Sequence, residues 1–209
     1  MLISPSSRIL FQGDSITDCG WDRSDAYSLG NGYAQMTAGL LSGLHPDLDT
    51  VCINRGISGN RAGDLVTRWQ EDCLDLKPDI LSILIGINDV WRRYDSDDPT
   101  SVEVFADNYR TILEQTKVAL PDTKLIMMEP FLLPVPDDRR KWREDLDPKI
   151  DAVRHLAREF GAVYVPLDGI FAAASTQQPC EFWAEDGVHP SSAGHGLIAR
   201  HWLQQVGAL

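Results

Sequence analysis

The sequence is short of long apolar runs, paired cysteines and positive charge, and each shortage excludes a class of protein. Its longest apolar stretch, Ile80 to Ile87, is interrupted by Ser82 and Gly86, which is too short for a membrane span. The 209 residues include 19 Lys and Arg against 31 Asp and Glu, a net charge of −12. Nucleic acids and anionic membranes bind basic surfaces, so we expect no nucleic-acid partner and no membrane partner.

The cysteines and the first residues of the sequence predict the cellular compartment of the protein. The 4 cysteines are scattered and form no Cys-x-x-Cys pair, which disfavours a zinc site and favours free thiols, with one structural disulfide as the alternative. Residues 1–7 are polar and lack the pattern of a secretory signal. Both observations predict a cytoplasmic protein.

Apolar runs alternate with helical patterns along the whole chain. A strand followed by a helix, repeated five times, is typical of α/β proteins with a parallel sheet covered on both faces. We therefore predict a single domain over residues 1–209, a three-layer α/β/α sandwich with a five-stranded parallel sheet. The predicted strands are 8–11, 50–54, 79–85, 124–129 and 163–166, and the predicted helices are 33–44, 62–76, 102–120, 147–160 and 191–205.

One segment of this pattern has two interpretations. Residues 131–144 contain Pro134 and Pro136 and then the charged run Asp-Asp-Arg-Arg. This composition predicts a loop over the sheet, which is either a plain surface connection or a loop that faces the substrate.

Polar segments follow three of the predicted strands and precede the last helix. They are Gly-Asp-Ser-Ile-Thr at 13–17, Asn-Arg-Gly-Ile-Ser-Gly-Asn at 54–60, Gly-Ile-Asn-Asp at 86–89 and Asp-Gly-Val-His-Pro at 186–190. Ligands of parallel α/β sheets bind outside the carboxyl ends of the strands. We therefore expect the four segments to meet at one edge of the sheet.

Together these segments hold the groups that acyl transfer requires. Ser15 is the candidate nucleophile, His189 the general base and Asp186 the group that orients the base. The Ser15 and Gly59 backbone N–H groups and the Asn88 side-chain amide are candidate donors to the oxyanion. Each residue alone also has a structural explanation, such as a helix cap for Ser15 or a turn for Asn88. The combination of all of them in order favours the catalytic interpretation.

The four segments resemble the blocks of the GDSL, or SGNH, hydrolases, whose second name records a Ser, a Gly, an Asn and a His. The matching residues are Ser15, Gly59, Asn88 and His189, and the blocks span residues 13–190. The resemblance implies a flavodoxin-like fold and ester hydrolysis by a Ser–His–Asp triad, with no cofactor and no metal.

Longer strings narrow the resemblance. Residues 13–20, 56–60 and 85–91 are similar to those of bacterial acetylxylan and oligosaccharide deacetylases of this family. This implies an esterase for short acyl groups, acetyl above all, on xylo-oligosaccharides or other carbohydrates, and makes a homo-oligomer plausible. Lysophospholipase, thioesterase and broad arylesterase activities are the alternatives within the family, although the charged residues before Glu144 do not resemble an apolar lid.

Trp91 and Trp183 lie on predicted loops near the same edge, as do Tyr94 and Trp142. Aromatic rings pack on the apolar faces of sugars, so Trp91 and Trp183 are candidate substrate contacts, with packing against the core as the alternative. A flavodoxin-like module that only binds a ligand is the non-enzymatic alternative. The chain lacks the Gly-x-Gly-x-x-Gly and Walker-type phosphate loops, and such a module leaves Asp186 and His189 unexplained.

Overall fold

A five-stranded, wholly parallel sheet organises the computed structural model, which describes residues 1–209. The strands lie in the order β2-β1-β3-β4-β5, so the chain reverses direction across the sheet after β2. This confirms the predicted α/β class and the five parallel strands. The strands are β1 Arg8–Gly13, β2 Val51–Gly56, β3 Ile80–Leu84, β4 Lys124–Met128 and β5 Val163–Val165.

The register of the sheet brings the predicted functional segments to one edge. Gly13, the last residue of β1, lies opposite Gly56 of β2 on one side and Leu84 of β3 on the other. The carboxyl ends of these three strands are therefore level. All five residues of β3 are buried, because helices cover both faces of the sheet.

The helices form the two outer layers. One face of the sheet packs a core that includes Tyr33 and Trp202, and the other packs a core around Trp69 and Tyr109. None of the helices combines the length and the apolar character that a bilayer crossing requires. The assignment of residues 1–209 to one domain stays a prediction. The helices are α1 Ser15–Asp18, α2 Tyr33–Leu44, α3 Ala62–Trp69, α4 Ile87–Asp95, α5 Val102–Ala119, α6 Arg143–Glu159, α7 Leu167–Ala174, α8 Cys180–Trp183 and α9 Ser192–Gln205.

Four helices, α1, α4, α7 and α8, were not predicted, and α4 and α8 correct the placement of the aromatic residues. Trp91 and Tyr94 lie within α4, and Trp183 ends α8, so none of them is on a loop. Four of the nine residues of α4 are charged, and its only buried apolar side chains, Ile87 and Val90, lie in its first four residues. Its hydrophobic periodicity is therefore too short to be recognised in the sequence.

Residues 131–144 also differ from the predicted loop. Phe131, Leu132 and Leu133 are buried, and a 3₁₀ turn over Asp137–Trp142 buries Trp142 as well. Helix α6 begins at Arg143, four residues before the predicted start, so Pro148 lies inside it. The predicted helix 62–76 is likewise α-helical only to Trp69 and continues as a π-turn.

Candidate active site

The nucleophile turn, residues 13–18, connects β1 to α1. A Cβ atom at Gly13 would lie 2.3 Å from the Leu84 carbonyl oxygen, so only glycine fits this close approach. Asp14 caps the helix because its Oδ1 accepts a hydrogen bond of 3.0 Å from the Ile16 N–H. Ser15 is thereby fixed as the first residue of α1, at the carboxyl edge of the sheet.

The histidine turn, residues 186–189, holds its acid and its base by local hydrogen bonds. Asp186 Oδ1 accepts from the backbone N–H groups of His189, at 2.8 Å, and Val188, at 3.0 Å. Asp186 Oδ2 lies 2.7 Å from His189 Nδ1, and His189 Nε2 lies 2.9 Å from Ser15 Oγ. A carboxylate only accepts hydrogen bonds, so Nδ1 carries the proton and Nε2 is free to accept one from the serine.

The electrostatics of this turn favour an ionised acid and a basic imidazole. Burial opposes the charge on Asp186, but the hydrogen bonds from His189 and Val188 outweigh it and hold the pKa of Asp186 well below its usual range. The hydrogen bond to Asp186 raises the pKa of His189 above 6.5, against the opposing effect of burial. His189 is therefore a stronger base than a free histidine.

The candidate oxyanion donors are tied to the nucleophile turn. Asp18 Oδ2 accepts from Ser58 N–H at 3.0 Å and from Ser58 Oγ at 2.9 Å, which holds the loop after β2 against α1. Asn88 Nδ2 donates to the Asn60 carbonyl at 3.1 Å and keeps a second amide hydrogen free. Gly59, between Ser58 and Asn60, has a φ of +85°, and a Cβ there would meet open space.

The structure thus brings Ser15, His189 and Asp186 into one hydrogen-bonded chain and places Gly59 and Asn88 on segments attached to it. The Gly59 N–H donates to no backbone carbonyl, so it is free to bind a ligand oxygen. Such an arrangement can activate a hydroxyl, carry its proton and stabilise an oxyanion.

The two candidate substrate contacts have different surroundings. The Trp91 ring centroid lies 5.7 Å from that of His189, so this tryptophan borders the triad. Trp183 Nε1 donates to the Ala174 carbonyl at 3.1 Å, and the residue lines a separate cavity with Pro166 and Leu197. The contacts of Trp183 are those of a packing residue.

Arg139 is a residue beside the site that sequence reasoning missed. Its guanidinium carbon lies 4.3 Å from the Trp91 ring centroid and 3.9 Å from that of Trp142. Tyr94 stacks on Trp142 with 4.9 Å between centroids. The available signal was the three-residue spacing shared by Arg139 and Trp142 and by Trp91 and Tyr94. This spacing is informative only if the segment with Trp91 and the segment with Arg139 are both known to be helical.

Two further carboxyl groups are buried next to site residues. Burial raises the pKa of Asp14 and of Asp89 to about 7. One oxygen of each is hydrogen-bonded, to Ile16 N–H and Ala62 N–H respectively, while Asp14 Oδ2 and Asp89 Oδ1 have no partner. No group of three or more His, Cys, Asp and Glu side chains is placed to hold a metal ion.

Comparison with known proteins identifies the family. Residues 11–197 match the model of the GDSL-like lipase/acylhydrolase family. The chain belongs to this family. It is accordingly a carboxylic ester hydrolase, and the resemblance found in the sequence is confirmed.

Individual relatives cover almost the whole chain of this GDSL hydrolase. An acetylxylan esterase from Geobacillus stearothermophilus is 38% identical, over 99% of this chain and 97% of its own length. A structure of an acetylxylan esterase from that organism has a TM-score of 0.89 at 35% identity, covering 99% of this chain and 97% of the other. A protein from Parabacteroides merdae described as a GDSL-like lipase has a TM-score of 0.95 at 38% identity, covering 99% and 98%.

Mutants of the Geobacillus enzyme bear on the chemistry of the site. Its solved structures include three called catalytic mutants, in which a histidine, a serine or an aspartate is replaced by alanine. The enzyme is also described as an acetyl-xylooligosaccharide esterase.

Proposed function

We propose that this GDSL hydrolase removes acetyl groups from xylo-oligosaccharides, with Ser15 as its nucleophile. The observation that carries the proposal is the chain of hydrogen bonds from Ser15 Oγ through His189 to Asp186, of 2.9 Å and 2.7 Å. A nucleophile, a base and an orienting carboxylate at these distances are the minimum for acyl transfer. The catalytic serine, histidine and aspartate of the Geobacillus enzyme support the same assignment.

The geometry accounts for each step of the reaction. Ser15 Oγ attacks the acetyl carbonyl carbon as His189 Nε2 takes the hydroxyl proton, which forms a tetrahedral oxyanion. The Ser15 and Gly59 N–H groups and the Asn88 amide stabilise this oxyanion. The C–O bond to the sugar then breaks, and the leaving sugar oxygen takes the proton from His189.

The acetyl-serine intermediate returns to free enzyme by the same route. A water molecule gives a proton to His189 Nε2 and attacks the acetyl carbon. Collapse of the second oxyanion releases acetate, and Ser15 Oγ recovers the proton from His189. Asp186 stays ionised throughout and stabilises the imidazolium in both halves of the reaction.

The identity of the substrate is supported by the relatives and by the surroundings of the triad. The acetylxylan esterase relative is similar over almost its full length. Trp91 beside His189 offers a ring that can pack on a sugar, and the nearby 3₁₀ turn Asp137–Trp142 is charged rather than apolar. A long acyl chain requires an apolar groove instead.

Hydrolysis of a nitrophenyl ester series, from acetate to octanoate, tests the nucleophile and the acyl length together. We expect the wild type to favour acetate and Ser15→Ala to lose activity by a factor of about 10⁴ or more. Ser42→Ala, at an exposed position of α2, serves as a matched control. Activity retained in Ser15→Ala would refute the serine mechanism.

Competition among natural esters tests which leaving group the enzyme prefers. We expect kcat/KM to be higher for acetylated xylo-oligosaccharides than for a lysophospholipid or an acetyl thioester of coenzyme A. A preference for either of the other two would reassign the chain to a lysophospholipase or thioesterase role within the family.

We also propose a cytoplasmic location, a single cooperative domain and self-association. All four cysteines are free, as expected in a reducing compartment. Tyr27 and Val118 are apolar but 88% and 86% exposed, which a subunit contact would relieve. Cell fractionation, thermal unfolding in one transition and sedimentation velocity check these three points in turn.

A further inference from the structure

A cavity of about 390 Å³ lies beside the 3₁₀ turn Asp137–Trp142 and has no role in the reaction described above. We call it the arginine cavity. Its volume is within the range of ligand sites, roughly 300–1,000 Å³. Its charged lining residues are Arg139, Arg140, Arg143 and Asp168.

The charge of the arginine cavity is opposite to that of the protein. Three arginines and one aspartate line it, while the whole chain carries a net charge of −12. An arginine of this lining that lacks a close carboxylate partner can attract a small anion locally, even though the molecule as a whole repels large ones.

The three arginines differ in how far their charge is already neutralised. Arg143 is saturated: its two terminal nitrogens lie 2.6 and 2.9 Å from the two oxygens of Asp168, and Asp147 lies 2.6 Å away. Arg140 makes only a long contact of 3.4 Å with Asp137, and both side chains are mostly exposed. An exposed pair of this kind holds the guanidinium weakly.

Arg139 has no ionic partner. Its Nε and Nη1 atoms are buried without a hydrogen bond, and its guanidinium lies over the neighbouring rings of Trp91 and Trp142. Burial lowers the pKa of Arg139, and the carboxylates of Asp186, Asp138 and Asp95 offset this only from a distance. Contact with aromatic faces compensates part of the lost hydration and leaves the charge available to an anion.

The arginine cavity also adjoins the catalytic residues. The Leu133 N–H donates to the Gly187 carbonyl at 2.9 Å, which joins the wall of the cavity to the histidine turn. The Trp91 ring that stacks on Arg139 has its centroid 5.7 Å from that of His189. Most of the remaining lining is apolar, with Leu132, Leu133, Pro134 and Ala172 beside the single hydroxyl of Ser175.

We propose that the arginine cavity binds a uronate, an acidic sugar carried by the glycan whose acetyl groups are removed. The carboxylate would accept hydrogen bonds from Arg140 and Arg139, and the C–H face of the sugar ring would lie on the leucine and proline wall. The inference that the uronate is part of the glycan rests on the proposed deacetylase function. The inference that the cavity binds a uronate does not depend on that function.

Titration of the whole protein with D-glucuronate, followed by NMR, tests the site without any hydrolysis. We expect saturable binding that D-xylose does not reproduce and that weakens about tenfold in Arg140→Gln and in Arg139→Met. Arg140 is exposed, so its variant is expected to fold. A thermal melt shows whether Arg139→Met does.

Arg158→Gln is the matched control, because it removes the same charge. It lies on α6, 15 residues after Arg143, or about 22 Å along the helix. If Arg158→Gln weakens glucuronate binding equally, the effect comes from the general electrostatic field of the protein, and the proposal is overturned. Equal affinity for glucuronate and acetate would also overturn it, because the cavity would then take a bare carboxylate.

Deacetylation rates supply the second test. We expect kcat/KM for a uronate-bearing acetylated xylo-oligosaccharide to exceed that for its neutral counterpart, and the ratio to fall about tenfold in Arg140→Gln. If the wild type binds glucuronate but the two kcat/KM values are equal, the proposed link between the uronate site and the glycan is refuted. Glucuronate binding by an enzyme that deacetylates neither compound would refute the proposed function and leave the uronate site standing.

Discussion

The nucleophile turn and the histidine turn meet at one hydrogen bond but are held in different ways. The nucleophile turn is built into the sheet: Gly13 pairs with both neighbouring strands, and Asp14 is 1% exposed. The histidine turn is nearer the surface, with the side chains of His189 and Asp186 47% and 38% exposed. Its acid and its base are held by hydrogen bonds between residues at most three positions apart, and one longer-range bond, from the Leu133 N–H to the Gly187 carbonyl, ties the turn to the chain after β4.

The aspartates of the two turns show what this difference does to an ionisable group. Asp14 is fully buried and one of its oxygens has no partner, so its pKa rises to about 7. Asp186 is less buried and accepts three hydrogen bonds, so its pKa falls. The number of donors decides the direction of the pKa shift: the acid next to Ser15 is poised to be neutral, and the acid behind His189 is kept charged.

The largest effect is expected from breaking the histidine turn. Asp186→Asn should lower kcat about 10⁴-fold, because an amide no longer holds His189 in the tautomer that accepts the serine proton. Nitrophenyl acetate hydrolysis measures this, and Asp122→Asn, an exposed residue before β4, is the matched control. A loss below about tenfold would show that Asp186 does not orient the base.

A smaller loss is expected beside the nucleophile turn. Asn88→Ala removes one of the proposed oxyanion donors and should lower kcat about 10²–10³-fold with little change in KM. Asn108→Ala on α5 makes the same truncation outside the triad. An unchanged kcat in Asn88→Ala, with the protein folded, would remove Asn88 from the oxyanion site.

The buried acid of the nucleophile turn should affect stability. An acid whose pKa is raised on folding binds more protons in the folded state, so the wild type loses free energy of unfolding as the pH rises from about 4 to about 7. Asp14→Asn keeps an oxygen that can accept from the Ile16 N–H. Its amide does not titrate, so this position no longer lowers the free energy of unfolding as the pH rises. Between pH 5 and pH 8 we expect the variant to gain on the order of 2 kcal/mol relative to wild type in urea unfolding. A difference that does not change with pH would contradict the raised pKa.

The smallest expected effect is a shift in the pH dependence of kcat/KM, because Asp14 of the nucleophile turn acts on the pKa of His189 in the histidine turn. His189 must be neutral to accept the serine proton, and its pKa is raised, so kcat/KM should increase with a midpoint above pH 6.5. The Asp14 carboxylate contributes to that rise in pKa. Asp14→Asn should therefore move the midpoint down by less than about one pH unit. A rate that is flat from pH 5 to pH 8 would exclude His189 as the base.

The α/β class and the meeting of the four polar segments could be predicted from the sequence because both depend on local rules. Apolar strands such as Ile80–Leu84 are recognised by their composition, and parallel strands bring their carboxyl ends to one edge. Helix α4 was missed because its apolar face is short. The burial of Phe131–Leu133 was missed because the prolines and charges that follow them resemble a surface loop.

The parts of the site whose geometry is local, or is enforced by strand order, follow from the sequence alone. The spacing of Asp186 and His189 lets one turn hold both, and Gly13 permits the close approach to β3. The surroundings of the site depend on three-dimensional packing. Arg139, Trp91 and Trp142 meet between segments about 50 residues apart, and Asp14 becomes a weak acid only when packing removes its water. Solvation and long-range contacts depend on all neighbouring atoms at once, and no stretch of sequence contains them.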